Sequence, residues 1–323
     1  MLTPYSVRSA IYFKAPKYFL LSKVETRTPL IEFIQKLREA VLVKKRRVTI
    51  DFRETVRFFA DGTLLFFAEL DRIGLLIEPY AGKEYHLDKV VRCRSLPRDA
   101  VAAQVLQQLN LLSKMGRREN QEICDDTVKY WNHASGEFGI GSQAAPLLEH
   151  YVGKIPLRLQ KDLGKGVTEA MANCVHHAYA FPRKGEEGVK VRKWWMFSEE
   201  RDGMLTVAFC DLGVGIRSSL RSGRRWNLKE VMTLLRSFGS SEKDSLYIRV
   251  ALKLGTSSTH KIERGKGFSD IMNVIRSEQR GNLRIYSDNG FYEYQRVQGD
   301  RFEDFKTSIK GTIITWSIPI GSD

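Results

Sequence analysis

Apolar and polar positions alternate along "RRVTIDF" (46–52) with the two-residue period of a half-buried strand, and the β-branched Val48, Thr49 and Ile50 suit that form. The period then changes. In "ADGTLLFFAELDRIG" the residues Leu64, Leu65, Phe67, Ala68 and Ile73 recur at near-helical spacing, with Gly74 as the expected stop. "LLIEPY" (75–80) predicts a short strand closed by Pro79. "DAVAAQVLQQLNLLSKMG" (99–116) predicts a second amphipathic helix, with Asp99 as its N-cap and Gly116 as its C-terminal glycine. This order of elements predicts a small layered α/β domain. The segment 117–141 is polar and glycine-bearing, which places a boundary near residue 125 and divides the chain into 1–125 and 126–323.

The second half opens with a long helical pattern. It starts behind Pro156 and runs through "LRLQKDLGKGVTEAMANCVHHAYAF" to Pro182, with Gly164 and Gly166 as weak points where it could kink or divide. Two apolar strands follow in "VKVRKWWMFSEERDGMLTVAFCDLGVGI", joined by a turn at Arg201–Gly203. A glycine-bearing entry leads to a helix over Phe268–Ile275, and "KGTIITWSIP" predicts a terminal strand.

Composition adds limits rather than chemistry. At about 100–200 residues per domain, 323 residues predict two domains, and a 42% hydrophobic content is enough for a real core. The four cysteines, Cys93, Cys124, Cys174 and Cys210, form no CxxC pair, so neither a disulfide framework nor a zinc site is expected, and a reducing cytoplasmic compartment fits. The apolar runs of the N-terminus are broken by Arg8, Lys14, Pro16 and Lys17, which argues against a signal peptide or a membrane span. The formal net charge is +14, and "KKRR" at Lys44–Arg47 is the one compact basic run. Such a balance permits nucleic-acid contact without specifying it.

Four short patterns in the second half carry candidate chemistry. On the long helix, Glu169, Asn173, His176 and His177 stand at i, i+4, i+7 and i+8, so Glu169, Asn173 and one histidine share a face, and Ala170, Ala172 and Ala178 keep the surface slim. Asp211-Leu212-Gly213-Val214-Gly215-Ile216 ends a strand with a carboxylate able to accept from an exocyclic amine, and its two glycines let the backbone pass close to a flat ring. Gly265, Lys266 and Gly267 precede a helix, an arrangement that suits phosphate. Gly311-Thr312 opens the last strand with a hydroxyl. Each pattern has an ordinary reading as well: a surface pair, a common turn, a helix entry, a strand start.

Taken in this order over residues 126–323, the four patterns resemble the N-box, G1 box, G2 box and G3-like Gly-Thr of the GHKL, or Bergerat-fold, ATP-binding superfamily. The N-box resembles that of anti-sigma-factor serine kinases, E-A-x-x-N-A-x-x-H-x-Y, through Glu169-Ala170, Asn173, His177 and Tyr179, with Cys174 in place of the second alanine. The resemblance implies an α/β sandwich with a mixed sheet and helices on one face. It further implies that Asn173 ligates Mg2+, and that Glu169 acts as general base on water or a hydroxyl. Asp211 would accept from the adenine amine while Gly213, Gly215 and Ile216 surround the ring. Gly265, Lys266 and Gly267 would hold phosphates, Thr312 would support Asp211, and 217–264, containing a helix over Leu228–Ser237, would close as a lid. His177 matches the family without a derivable role. The G2 box, GKGFSDI, has fewer glycines than many members. "VTIDFRETVRFFADGTLLFFAELDRIG" resembles the bacterial STAS interaction module through Asp51, Asp61, Gly62 and the helix, with Thr63 near the place of that family's phosphorylated serine.

Three functions follow as expectations: ATP hydrolysis coupled to lid closure and read by a protein partner, a serine/threonine protein kinase, or a nucleotide-gated nucleic-acid binder. Expected cofactors are ATP and Mg2+. A homodimer is compatible with all three, and no membrane association is expected.

Overall fold

A computed structural model describes residues 4–6, 10–77, 83–118, 122–137, 149, 151–152, 154–181, 191–222, 227–239, 243–256, 267–276, 278 and 280–321. It divides the chain into two compact units, Met1–Asn132 and His133–Asp323. Both mix helices and strands, so the chain is α/β.

The first unit holds β1 (Ile11–Lys14), β2 (Tyr18–Phe19), α1 (Val24–Arg38), β3 (Val48–Asp51), β4 (Arg57–Phe58), α2 (Ala60–Leu76), α3 (Leu87–Val90), β5 (Val91–Ser95), α4 (Ala100–Gln108), α5 (Leu111–Lys114) and α6 (Asp126–Lys129). Strands β1, β3 and β5 form a three-stranded parallel sheet in that order, and β2 pairs with β4. Parallel strands need crossover connections, and α1 and α2 supply them. Helix α2 is the centre of the unit: Leu64, Leu65, Phe66, Phe67, Leu70 and Ile73 are all buried. Phe19 joins it to the sheet, with ring centroids 5.3 Å from Phe66, 6.3 Å from Phe52 and 4.6 Å from Phe58. Glu69, inside this helix, is buried and paired with Arg38 of α1.

Several expectations are corrected here. Helix α2 does not stop at Gly74 but runs through Leu75 and Leu76, so the strand expected at 75–80 is absent over its first residues, and 78–80 lie outside the described residues. An apolar run of that length satisfies either period. The expected helix 99–116 is broken at Leu109–Asn110, where Asn110 adopts φ 55°; Asp99 does cap α4, accepting from Ala102 N at 2.8 Å, and Gly116 has φ 67°. Thr63 is wholly buried in the first turn of α2 and its hydroxyl meets no hydrogen-bond partner among the described residues, so it is shut away from any enzyme in this fold.

The second unit is built on a seven-stranded sheet ordered β11-β10-β9-β12-β8-β7-β6, from β6 (Asn132–Gly136), β7 (Trp194–Arg201), β8 (Met204–Asp211), β9 (Asn282–Ser287), β10 (Gly290–Gln295), β11 (Gly299–Asp304) and β12 (Thr312–Pro319). The five pairings from β7 to β11 run antiparallel. The β7–β8 hairpin turns on Asp202 (φ 53°) and Gly203 (φ 70°), both left-handed as a two-residue type I′ turn requires.

The helices of this unit are α7 (Leu157–Asn173), α8 (Gly215–Arg221), α9 (Leu228–Phe238), α10 (Asp244–Thr256) and α11 (Gly267–Arg276). Helix α7 is unbroken through Gly164 and Gly166 and continues into a π-helical turn, Cys174–Ala178. Gly166 is where α11 packs: a Cβ there would stand 3.1 Å from Val274 and 3.4 Å from Trp316. The buried Trp316 indole donates to Ile271 O of α11 at 2.9 Å. One core joins Leu159, Leu163, Val167 and Met171 of α7 to Val207 and Phe209, to Ile285, to Ile314 and Trp316, and to Ile271 and Val274.

The connection expected to close as a lid, with one helix over Leu228–Ser237, is, in its described part, three helices. Leu220 of α8, Val231 and Leu235 of α9, and Tyr247, Val250, Ala251 and Leu254 of α10 share a second apolar core. The start of α10 is tied down as well: Asp244 accepts from Arg217 and from Asn289 N, each at 3.1 Å, and Ser245 pairs with Asp304. The remainder of that connection, 223–226, 240–242 and 257–264, lies outside the described residues.

Candidate functional site

Side chains of a strand alternate between faces with period two. Leu205, Val207 and Phe209 of β8 point to the side covered by α7, which puts Asp211 on that side too. The same holds for Thr312 behind Ile314 and Trp316, and for Ser287 behind Leu283 and Ile285. The register aligns these three: Asp211 pairs with Thr312, and Thr312 with Ser287. A polar row therefore closes the end of an otherwise apolar face. Asp211 is only 7% exposed. The Thr312 and Ser287 hydroxyls stand 3.5 Å apart.

The turn after Asp211 is fastened from several sides. Leu212 N donates to the Tyr179 hydroxyl at 3.1 Å, and Gly213 N to Asp211 Oδ1 at 2.9 Å. Val214 N donates to Ala178 O at 2.8 Å, and Ile216 N to Ser287 Oγ at 2.8 Å. The two glycines are explained by packing. A Cβ at 213 would stand 2.2 Å from Ala178 O, and at 215 (φ 76°) 2.0 Å from the Asp288 carboxylate. Gly311 answers the same need from the other side: a Cβ there would stand 2.2 Å from Asp211 O.

The π-helical turn brings α7 to this place. A π turn adds a residue to the helical circuit and often marks functional sites. Here it delivers the Ala178 carbonyl to Val214 and the Tyr179 ring to Leu212. Burial, and then the Asp211 carboxylate, push the Cys174 thiol up; burial, Cys174 and Asp211 do the same to the Tyr179 phenol. Asp211 is therefore electrostatically close to the residue that follows Asn173.

Of the residues singled out from sequence, Asp211, Gly213, Gly215, Ile216 and Thr312 come together at the end of β8 and β12. Glu169, Asn173 and His177 lie half-buried along α7 and the turn after it, with Asn173 Nδ2 shielded from solvent, while His176 is exposed. Gly267 opens α11, but Gly265 and Lys266 lie outside the described residues. Tyr179 and Ser287 were given no role by the sequence. Tyr179 stood in the N-box pattern, whereas nothing local marks Ser287, whose partners Ile216 and Thr312 lie on a helix and another strand.

No family model matches the chain, and a search among curated proteins finds no match. No helix among the described residues is long and apolar enough to cross a membrane.

Proposed function

We propose that the second unit is a GHKL-type ATP-binding unit that hydrolyses ATP with Mg2+ and signals its nucleotide state to a protein partner. The observation that carries this reading is the buried Asp211 carboxylate flanked in register by Thr312 and Ser287, beneath the helix that bears Glu169 and Asn173. A carboxylate and a hydroxyl side by side on an apolar face offer an acceptor to an exocyclic amine and a hydroxyl to a ring nitrogen. The apolar core residues around them suit the faces of a base.

The residues fit the cofactors in kind. Asn173 offers an amide oxygen, a hard donor of the sort Mg2+ takes. Among the described residues no group of three or more His, Cys, Asp or Glu gathers as a metal cage. A metal at Asn173 would therefore draw its other ligands from phosphate and water. Bound there, Mg2+ would neutralise phosphate charge. Glu169, one turn earlier on the same helix, would orient the attacking oxygen and accept its proton. The N-terminus of α11 would face phosphate with its free backbone N–H groups.

Calorimetric titration with Mg-ATP tests the site. Asp211→Asn and Asn173→Ala should each weaken binding at least tenfold; equal affinity in the wild type and both variants removes the proposal.

A further inference from the structure

Resting on the ATP-binding reading, we propose that Tyr179 is the positioning residue that joins the end of α7 to the base-reading turn and thereby sets the preference for adenine. Its hydroxyl bridges the entry to β7 and the exit of β8, where that turn begins. It donates to Lys193 O at 2.5 Å, at the entry to β7, and accepts from Leu212 N at 3.1 Å, at the exit of β8. Lys193 and Leu212 directly flank Trp194 and Asp211, which pair across the two strands. The phenol thus closes a clasp over the end of the β7–β8 ladder, one residue beyond its last pair.

The clasp connects the two halves of the site. Tyr179 follows the π-helical turn, which continues the helix bearing Asn173. Leu212 is the residue after Asp211. The neighbouring bond from Val214 N to Ala178 O runs in the same direction, from the turn to the end of the helix. The carboxylate is folded locally by Gly213 N, so its shape survives without Tyr179. Its placement against α7 does not, because that depends on the Tyr179 and Ala178 contacts. A phenol held neutral by burial and by the adjacent carboxylate stays a donor and an acceptor at once, which both bonds need.

The test is Tyr179→Phe, which keeps the ring and removes only the oxygen. Leu212 N–H then loses this acceptor, a change of a size that shifts an equilibrium by about tenfold. ATP binding should weaken by about that factor and the ATP-to-GTP preference should fall with it, while affinity for inorganic tripolyphosphate stays within about twofold. Combined with Asp211→Asn, the double variant should bind ATP like Asp211→Asn alone, since both changes act through one carboxylate. Amide hydrogen exchange should rise over 211–216 and stay unchanged over 157–170. An unaltered ATP-to-GTP preference, additive effects in the double variant, or unchanged exchange over 211–216 would each overturn the role of Tyr179 while leaving the ATP site standing. A wild type that binds no adenine nucleotide overturns the selectivity role together with the ATP reading; the exchange measurement, which needs no ligand, still decides whether Tyr179 holds the turn.

Discussion

Gly213 lies directly against Ala178. A Cβ at 213 would stand 2.2 Å from the Ala178 carbonyl oxygen, and the next residue, Val214, donates its N–H to that same oxygen at 2.8 Å. The π-helical end of α7 and the turn after β8 are thus in backbone contact, and only glycine permits it. Gly213→Ala must push the two apart, since the obstacle is backbone and not a flexible side chain. The expected cost is about 1–3 kcal/mol in urea unfolding, and on the proposed function nucleotide binding should be lost with it. Gly203→Ala is the control: its φ of 70° strains any other residue by about 1 kcal/mol, but nothing lies within 4 Å, so nucleotide binding should be kept.

Glu169 is half-buried on α7, one turn before Asn173. On the proposed ATP-hydrolysing function, Glu169→Gln preserves shape and removes the proposed base. Phosphate release, or phosphate transfer to protein, should fall by about 10²–10⁴-fold, while the dissociation constant for Mg-ATP changes by less than about threefold. Turnover that persists at the wild-type rate would remove Glu169 as the base.

The motifs that end elements were legible because their chemistry is local. The Asp202-Gly203 turn, the Asp99 cap and the strand ending at Asp211 all follow from a few adjacent residues. The π-helical turn was not legible: it is set by where Ala178 must meet Val214, far along the chain. Helix α1, with Pro29 inside it, carries a residue that argues against a helix from sequence alone; burial of Leu30, Ile31, Phe33, Ile34 and Leu37 overrides that local penalty. Strand β5 alternates buried Val91 and Cys93 with exposed Arg92 and Arg94, a pattern too short to stand out among polar neighbours. Ser287 was invisible for the same reason as the π turn, since its partners Ile216 and Thr312 come from other elements. Gly213 and Gly215 were recognised for letting the backbone pass close to a ring; the structure shows that they also pack against Ala178 and Asp288, and that Gly311, which opens the last strand, packs on Asp211.

The two glycines inside α7 should separate cleanly. Gly164 has open space where a Cβ would go, while a Cβ at Gly166 would press on Val274 at 3.1 Å. Alanine is favoured over glycine in a helix interior by about 1 kcal/mol. Gly164→Ala should therefore raise the unfolding free energy by about that amount, and Gly166→Ala should gain less or lose stability as α11 is displaced. Equal gains at both positions would mean that α11 does not pack on α7 at Gly166.

In the first unit, Asp51 accepts from Arg53 through Nε at 2.9 Å and Nη2 at 2.6 Å, from Arg53 N at 3.0 Å, and from the Tyr12 hydroxyl. The Arg53 guanidinium, against the opposing effect of burial and helped by Tyr12, holds the Asp51 carboxyl well below the usual carboxylate range. A carboxyl with a depressed folded pKa adds stability that is fully present above its unfolded pKa, about 3.9, and is lost as pH falls below that toward the folded value. Arg53 is half exposed, so solvent screens the pair and the effect is modest. Asp51→Asn should lower the urea midpoint at pH 6, and the gap from wild type should narrow steadily between about pH 4 and pH 3. A gap that stays constant over that range would show that the hydrogen bonds of Asp51 matter through geometry and not through its charge.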